Sequence, residues 1–111
     1  ALRAGLLHAA REILQRDLRL PELSPSGVAR ELGISLRQVH VLFEPTGHSF
    51  ARTLTALRLA DASRQLAAAP ERSVTDIAYR SGFDSLATFY RAFRAAYAMT
   101  PRDARARADG H

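Results

Sequence analysis

Apolar residues recur along this chain every three or four positions, which is the spacing of one face of an α-helix. Alanine and leucine dominate these stretches, and no segment alternates apolar and polar residues over the length of a strand. The first stripe lies in residues 2–16 and contains Leu2, Leu6, Ile13 and Leu14. The pattern predicts an all-α protein of about seven helices.

Proline, glycine and serine interrupt the pattern and mark the ends of the helices. After the first helix, the cluster at residues 24–27 precedes a short helix that ends at Gly33. Ser35 is placed to cap a second short helix, which ends before Pro45 and Gly47. This segment therefore predicts two short helices joined by a tight turn.

The longest predicted helix begins near residue 49 and ends near residue 68, just before Pro70. Four apolar residues share one of its faces: Phe50, Leu54, Leu57 and Leu66. At about 1.5 Å per residue, a helix of this length spans about 30 Å.

A second pair of short helices follows this long helix. Ser73 and Asp76 have the spacing of a capping box at the start of the first one, which ends at Gly82. Either Asp84 or Ser85 is placed to cap the second one. As in the earlier pair, a glycine ends the first helix and a capping residue precedes the second.

The chain is therefore predicted to have three parts. Residues 1–48 form an N-terminal helix and a first helix-turn-helix lobe, and residues 49–69 form a linker helix. Residues 70–111 form a second lobe, in which a last helix begins at Thr100-Pro101 and fades into a tail that ends at His111.

The two lobes contain copies of one unit. Before the turn the matches have an offset of 49 residues: Val28-Ala29 with Ile77-Ala78, Gly33 with Gly82, and Ile34 with Phe83. After the turn the offset is 50: Val39 with Phe89, and Phe43 with Phe93. The alanine lets two helices cross closely, and the glycine permits the turn between them. The four phenylalanines Phe43, Phe83, Phe89 and Phe93 are predicted to be core residues.

Composition narrows the function classes. The chain has 111 residues, 47% hydrophobic and 24% charged, which is typical of a globular domain. It has no cysteine and no apolar run of membrane-spanning length. All sixteen basic residues are arginine, and the net charge is +5. A GC-rich genome and recognition of an anion both explain this bias, and composition does not separate them.

Enzymatic chemistry finds no support in the residues. The four histidines His8, His40, His48 and His111 lack metal-ligand spacing, and there is no glycine-rich phosphate loop. We therefore expect no catalytic residue, no metal and no cofactor. The two remaining alternatives are a DNA-binding module and a helical protein-interaction module without DNA binding.

Two sets of residues carry a resemblance to a known family. Gly82-Phe83-Asp84-Ser85, with Phe89, Arg91, Phe93 and Thr100-Pro101 after it, resembles the signature of the AraC/XylS transcriptional regulators. In the first half, Ile34-Ser35, Leu42-Phe43 and residues 46–50 resemble the family's other motif. The resemblance implies two homeodomain-like helix-turn-helix lobes on a long linker helix. Their recognition helices, at about residues 35–43 and 85–96, would enter successive major grooves, about 34 Å apart.

The outward positions of these two helices are the expected DNA contacts. Base contacts are expected from Arg37, Gln38, His40, Val41, Leu86, Ala87, Tyr90 and Arg91, and phosphate contacts from Ser35, Ser85 and Arg94. Arginine suits guanine edges and glutamine suits adenine edges, whereas an apolar side chain meets the thymine methyl group. The two serines are expected chiefly to cap their helices.

The family's other properties are expectations of the same kind. The resemblance implies a bacterial, cytoplasmic transcriptional regulator that binds double-stranded DNA, associates with the nucleoid when bound and does not bind membranes. Activator is the expected role, and the sequence does not separate activation from repression. It further implies contact with RNA polymerase in the full-length regulator, a monomeric isolated domain and dimerisation through an N-terminal domain missing from this chain.

Three positions bear on the family's pattern. Ala98 stands where the family usually has glycine, and Ala104 where an aromatic residue often packs, so the docking of the last helix is open. His48 lies in the loop motif before the long helix and is expected to make a hydrogen bond that fixes this loop.

Overall fold

The computed structural model describes residues 2–110, which form seven α-helices and, within that range, no β-strand. The helices are α1 (Leu2–Asp17), α2 (Pro25–Leu32), α3 (Leu36–Phe43), α4 (Phe50–Ala68), α5 (Val74–Arg80), α6 (Leu86–Tyr97) and α7 (Pro101–Asp109). A single 3-10 turn, Glu44–Thr46, precedes α4. The all-α prediction is confirmed, while His111, the predicted end of the tail, lies outside the described residues.

Side-chain oxygens cap six of the helices. Each accepts a hydrogen bond from a backbone N–H of the first turn, and the capping residues are Ser24, Ser35, Ser49, Ser73, Ser85 and Thr100. Ser85, rather than Asp84, therefore caps α6. These bonds satisfy donors that a helix start otherwise leaves unpaired.

Only one of the two hydrogen bonds of the capping box predicted at Ser73 and Asp76 is present. Ser73 Oγ accepts from the amide of Asp76 at 3.0 Å, but the Asp76 carboxylate is engaged one turn further on. There it accepts a hydrogen bond from Arg80 Nε at 2.9 Å. An oppositely charged partner four residues away competes with the backbone amide for the short aspartate side chain.

The internal repeat extends to the backbone hydrogen bonds of the two turns. Gly33 has φ 69° and Gly82 has φ 98°, a region that side chains with a Cβ atom rarely adopt. The amide of the next residue then bonds back to the alanine carbonyl: Ile34 to Ala29 at 3.0 Å and Phe83 to Ala78 at 3.2 Å. The same bond therefore closes both turns, at the same offset of 49 residues as the sequence match.

Two compact units make up the chain, and the boundary between them follows Leu54. The first unit contains α1, α2, α3 and the beginning of α4. Its buried apolar residues are Ala10, Ile13, Leu14, Leu18, Val28, Ala29, Val39, Leu42, Phe43, Phe50 and Leu54. The rings of Phe43 and Phe50 meet edge to face at 5.6 Å, which fixes the start of α4 on the end of α3.

One arginine connects α1 to α2 on the surface of the first unit. Arg16 donates to both oxygens of Asp17 and of Glu31, at 2.6 to 3.0 Å. These hydrogen bonds lower the pKa of both carboxyls and raise the pKa of Arg16. The guanidinium therefore has a structural role in the first unit.

The second unit is built around the remainder of α4. Its core cluster consists of Leu59, Ala62, Leu66, Ile77, Ala78, Phe83, Phe89 and Phe93. The predicted single face of α4 is wrong at Leu57, which is only half-buried, whereas Leu59 is buried. The helix contributes Phe50 and Leu54 to one core and Leu66 to the other, so its buried positions do not follow one continuous stripe.

The last helix is docked, although the sequence left this open. Pro101 is buried, and Met99 and Ala104 pack against the core cluster of the second unit. Arg105 donates from Nε to the carbonyl of Leu66 at 3.3 Å and from Nη2 to that of Ala69 at 3.1 Å. Its guanidinium thereby bonds to a carbonyl in the last turn of α4 and to that of the next residue after the helix, which also accepts from the amide of Arg72 at 3.0 Å.

Ala98 carries a backbone conformation that favours glycine. It ends α6 with φ 57° and ψ 26°, and its amide donates to the carbonyl of Arg94 at 2.9 Å. The left-handed region costs a residue with a Cβ atom about 1–2 kcal/mol.

We therefore expect Ala98→Gly to stabilise the protein by about 0.5–1 kcal/mol, because part of the relieved strain is offset by the greater freedom of glycine in the unfolded chain. In thermal unfolding, the midpoint should rise by about 2–6 °C. The matched control is Ala95→Gly within α6, which should destabilise by about 1 kcal/mol. Destabilisation by both variants would contradict the assignment of strain to Ala98.

Candidate nucleic-acid interface

The first candidate recognition helix, α3, is held by three buried residues and exposes most of the others. Val39, Leu42 and Phe43 face the core of the first unit. Arg37 and His40 are exposed, and 46% of Leu36 is exposed at the first turn. The outward positions predicted at Arg37 and His40 are therefore exposed in the structure.

Gln38 has a second role that its exposure alone does not reveal. Its Oε1 accepts from the backbone amide of Ser35 at 2.8 Å, while Ser35 Oγ accepts from the amide of Gln38 at 3.1 Å. This reciprocal pair is a capping box. A contact to adenine through both amide atoms would compete with the box for Oε1, whereas the NH₂ donors are not used by the box.

Val41 is less outward than the sequence predicts. It is half-buried and, with Gln38 and Leu42, forms one wall of a shallow depression of about 250 Å³. Leu2 and Leu6 at the start of α1 form the other wall. The prediction considers only the faces of α3, and α1 covers part of this side.

The second candidate recognition helix, α6, has a broader buried face than predicted. Phe89 and Phe93 are fully buried, but Leu86 and Tyr90, both predicted to point outward, are half-buried and pack against the same core cluster. Leu86 lies three residues before Phe89, so it falls on the same helical face. The Tyr90 ring meets that of Phe89 edge to face at 5.9 Å.

The exposed face of α6 carries Ala87, Thr88, Arg91 and Arg94. Arg91 Nη2 donates to Thr88 Oγ1 at 3.4 Å, which directs the guanidinium along the outer face. Thr88 is not among the residues predicted from sequence. The repeat offset of 50 residues that pairs Val39 with Phe89 also pairs Gln38 with Thr88, and this match would have identified it.

Ser35 and Ser85 both cap their helices, as expected. Ser85 Oγ accepts from the amide of Thr88 at 3.3 Å, and Ser35 Oγ accepts from that of Gln38 at 3.1 Å. A hydroxyl that accepts one hydrogen bond still has a proton to donate. Capping is therefore compatible with donation to a phosphate oxygen at the positive end of the helix.

The loop before α4 is fixed by a threonine rather than by the ring of His48. Thr46 Oγ1 donates to the carbonyl of Phe43 at 2.6 Å and lies 3.0 Å from that of His48. It also accepts from the backbone amide of His48 at 3.1 Å. The His48 side chain is exposed, and the hydrogen bonds by which this residue fixes the loop come from its backbone.

The structure separates arginines that stabilise the fold from arginines on the recognition helices. Arg16, Arg80 and Arg105 bond to carboxylates or carbonyls of their own or neighbouring elements. Arg37, Arg91 and Arg94 instead lie exposed on α3 and α6. This arrangement places guanidinium donors on both candidate helices, where they suit phosphates and guanine edges.

Residues 2–110 offer no candidate for two other classes of site. This part of the chain contains no group of three or more histidine, cysteine or acidic side chains able to hold a metal ion. It also contains no helix whose length and apolar character would let it cross a membrane.

Sequence comparison finds relatives whose names describe them as transcriptional activators. A helix-turn-helix domain model matches residues 28–107. The HTH-type transcriptional activator RhaS of Escherichia coli O139:H28 is 42% identical over 90 residues, which cover 80% of this chain and 32% of RhaS. RhaS of Escherichia coli strain SE11 matches to the same extent. The chain spans about a third of the length of these curated relatives.

Solved structures share the fold over almost the whole chain. An AraC-type DNA-binding domain-containing regulator from Chromobacterium violaceum is 28% identical, with a TM-score of 0.84 over 95% of this chain and 93% of its own. The C-terminal domain of AraT, a response regulator from Geobacillus stearothermophilus, is also 28% identical, with a TM-score of 0.84 over 90% of this chain and 83% of its own.

Proposed function

The chain belongs to the AraC/XylS family of helix-turn-helix transcriptional regulators, and we propose that it is the part of such a regulator that reads double-stranded DNA. Members of this family are not enzymes. The observation that carries the proposal is the repeated unit: two turns closed by the same backbone bond, each followed by a helix with exposed arginine. A helix-turn-helix unit presents its second helix to the major groove.

We assign base reading first to the exposed residues. On α3 these are Arg37 and His40, with the NH₂ group of Gln38, and on α6 they are Thr88 and Arg91. Arginine donates two hydrogen bonds to guanine, and the smaller polar groups bond to single acceptors. Ala87 has the exposure and size for contact with a thymine methyl group.

The half-buried residues Val41, Leu86 and Tyr90 have a lesser part in this proposal. Their partly exposed edges suit apolar contact with thymine, and their buried portions hold the recognition helices. Ser35 and Ser85 would donate to phosphates at the helix starts, and Arg94 on α6 would donate to a phosphate further along.

We further propose that the two helices enter successive major grooves of one duplex. Support comes from the repeat and from α4, whose 19 residues correspond to about 28 Å of helix. For the complete regulator, the name of RhaS favours a transcriptional activator. We propose in addition that it acts in the bacterial cytoplasm, at the nucleoid, with RNA polymerase as partner. Dimerisation is proposed to lie in a further domain, and this chain alone to be monomeric.

The experiment that tests DNA reading is selection of duplexes from a random library, followed by titration at about 50 to 200 mM salt. We expect a bipartite site of about 20 base pairs, because two half-sites lie about one helical turn apart. Affinity should fall by several log units per log unit of salt as phosphate counterions are released. No selected sequence and a flat salt dependence would favour a protein-interaction module instead.

Arg91→Ala should weaken binding to the selected site by about 1–3 kcal/mol, because it removes a base contact. Binding to random duplex should change little. Competition titrations on the two duplexes measure the difference. Arg11→Ala, an exposed arginine on α1, is the matched control and should affect neither strongly. An equal loss on both duplexes would make Arg91 a phosphate contact.

Gln38→Glu should separate the capping box from DNA reading. Glutamate keeps the acceptor that closes the box, so the unfolding midpoint should stay within about 2 °C. It lacks the NH₂ donors and repels phosphate, so affinity for the selected site should fall about tenfold or more. Gln15→Glu, exposed on α1, controls for the added charge. Equal losses in the two variants would exclude a local role for Gln38.

A further inference from the structure

The core of the second unit contains three buried polar side chains. Asp61, Gln65 and Ser81 are 5%, 6% and 0% exposed, and no other polar or charged residue of the described chain is buried to this degree. Burial of such groups is costly unless each is hydrogen-bonded, and within residues 2–110 no buried side-chain nitrogen or oxygen lacks a partner.

Gln65 connects this group. Its Nε2 donates to Asp61 Oδ2 at 2.9 Å and to Ser81 Oγ at 3.1 Å. Its Oε1 accepts from Arg72 Nη1 at 3.3 Å. One amide on α4 therefore bonds to its own helix, to the loop before α5 and to the residue that follows α5.

Ser81 is the first residue of the turn between α5 and α6. Its amide donates to the carbonyl of Ile77 at 2.9 Å, and it immediately precedes Gly82, whose positive φ reverses the chain. The repeat pairs Ser81 with Leu32 in the first unit, a half-buried apolar residue with no hydroxyl to bond. Of these two matched positions, only the one in the second unit therefore bonds to a side chain on another helix.

These hydrogen bonds fix the relative position of the groups they join more than they raise the free energy of unfolding. Replacing a buried polar pair by apolar groups of similar shape is often neutral or stabilising. An amide donor and a hydroxyl acceptor, however, meet at one distance and one angle, whereas apolar contacts tolerate sliding. The network therefore sets the position of the turn against α4.

We propose that Gln65 is a positioning residue for the second recognition helix. Through Ser81 it holds the turn at Gly82-Phe83, and this turn sets the direction in which α6 presents Thr88 and Arg91. The inference rests on the proposed function for its DNA consequence, whereas its effect on the turn is independent of DNA.

The test uses the double variant Gln65→Leu/Ser81→Ala, with Gln15→Leu on the surface of α1 as the matched control. The amide and its hydroxyl partner are removed together, but the buried Asp61 Oδ2 loses its Gln65 donor, so the unfolding midpoint should fall by about 5–10 °C. Asp61 keeps its ion pair with Arg64, at 3.5 Å. Hydrogen exchange at the amides of Gly82 and Phe83 should become about tenfold faster or more. The ratio of affinities for selected and random duplex should fall about fivefold or more.

The outcomes distinguish this inference from its premise. Wild-type exchange at the turn together with a wild-type affinity ratio would overturn the role of Gln65. A uniform loss on both duplexes with a midpoint lowered by more than about 10 °C would also overturn it, because general unfolding then explains the effect. If the unaltered chain prefers no duplex, the proposed function fails, and the exchange rates still decide whether Gln65 holds the turn.

Discussion

The hydrogen bond that closes each helix-turn-helix turn is the constraint on which the rest of this protein depends. A glycine with positive φ allows the amide after it to reach back to the alanine carbonyl of the preceding helix, at 3.0 Å in one unit and 3.2 Å in the other. That bond fixes where the second helix starts. Once its start is fixed and its apolar face is buried, the opposite face has no freedom to turn inward.

Some polar side chains of this protein bond one helix to another, and others lie on exposed helix faces where a ligand can reach them. Arg16, Arg105 and the Gln65 network all bond to carboxylates, carbonyls or hydroxyls on other elements of their own unit. Arg37 and Arg91 lie on exposed helix faces instead. Arginine therefore has two physical uses in this fold: a planar guanidinium joins several acceptors at once in the structure, and the same geometry suits nucleic acid.

The exposure and contacts in the structure differ from those expected from the sequence chiefly at the margins of the helix faces. Leu86 and Tyr90 are predicted to point outward when only residues four apart are counted as buried, although a residue three positions away shares that face. Val41 is covered from one side by α1, and Gln38 gives its oxygen to a cap. Each of these depends on a neighbouring helix or on a rotamer, and neither is contained in the periodicity of one segment.

The sequence by itself determined the helices, most of their caps, the repeat and the aromatic core, because hydrophobic spacing, capping residues and glycine turns act over a few neighbouring residues. Only the tertiary structure decided how α4 divides its buried residues between two cores, how Arg105 docks α7, and that Gln65 reaches Ser81. The last two contacts join residues 39 and 16 positions apart. Such partners are chosen by packing, which no local pattern records.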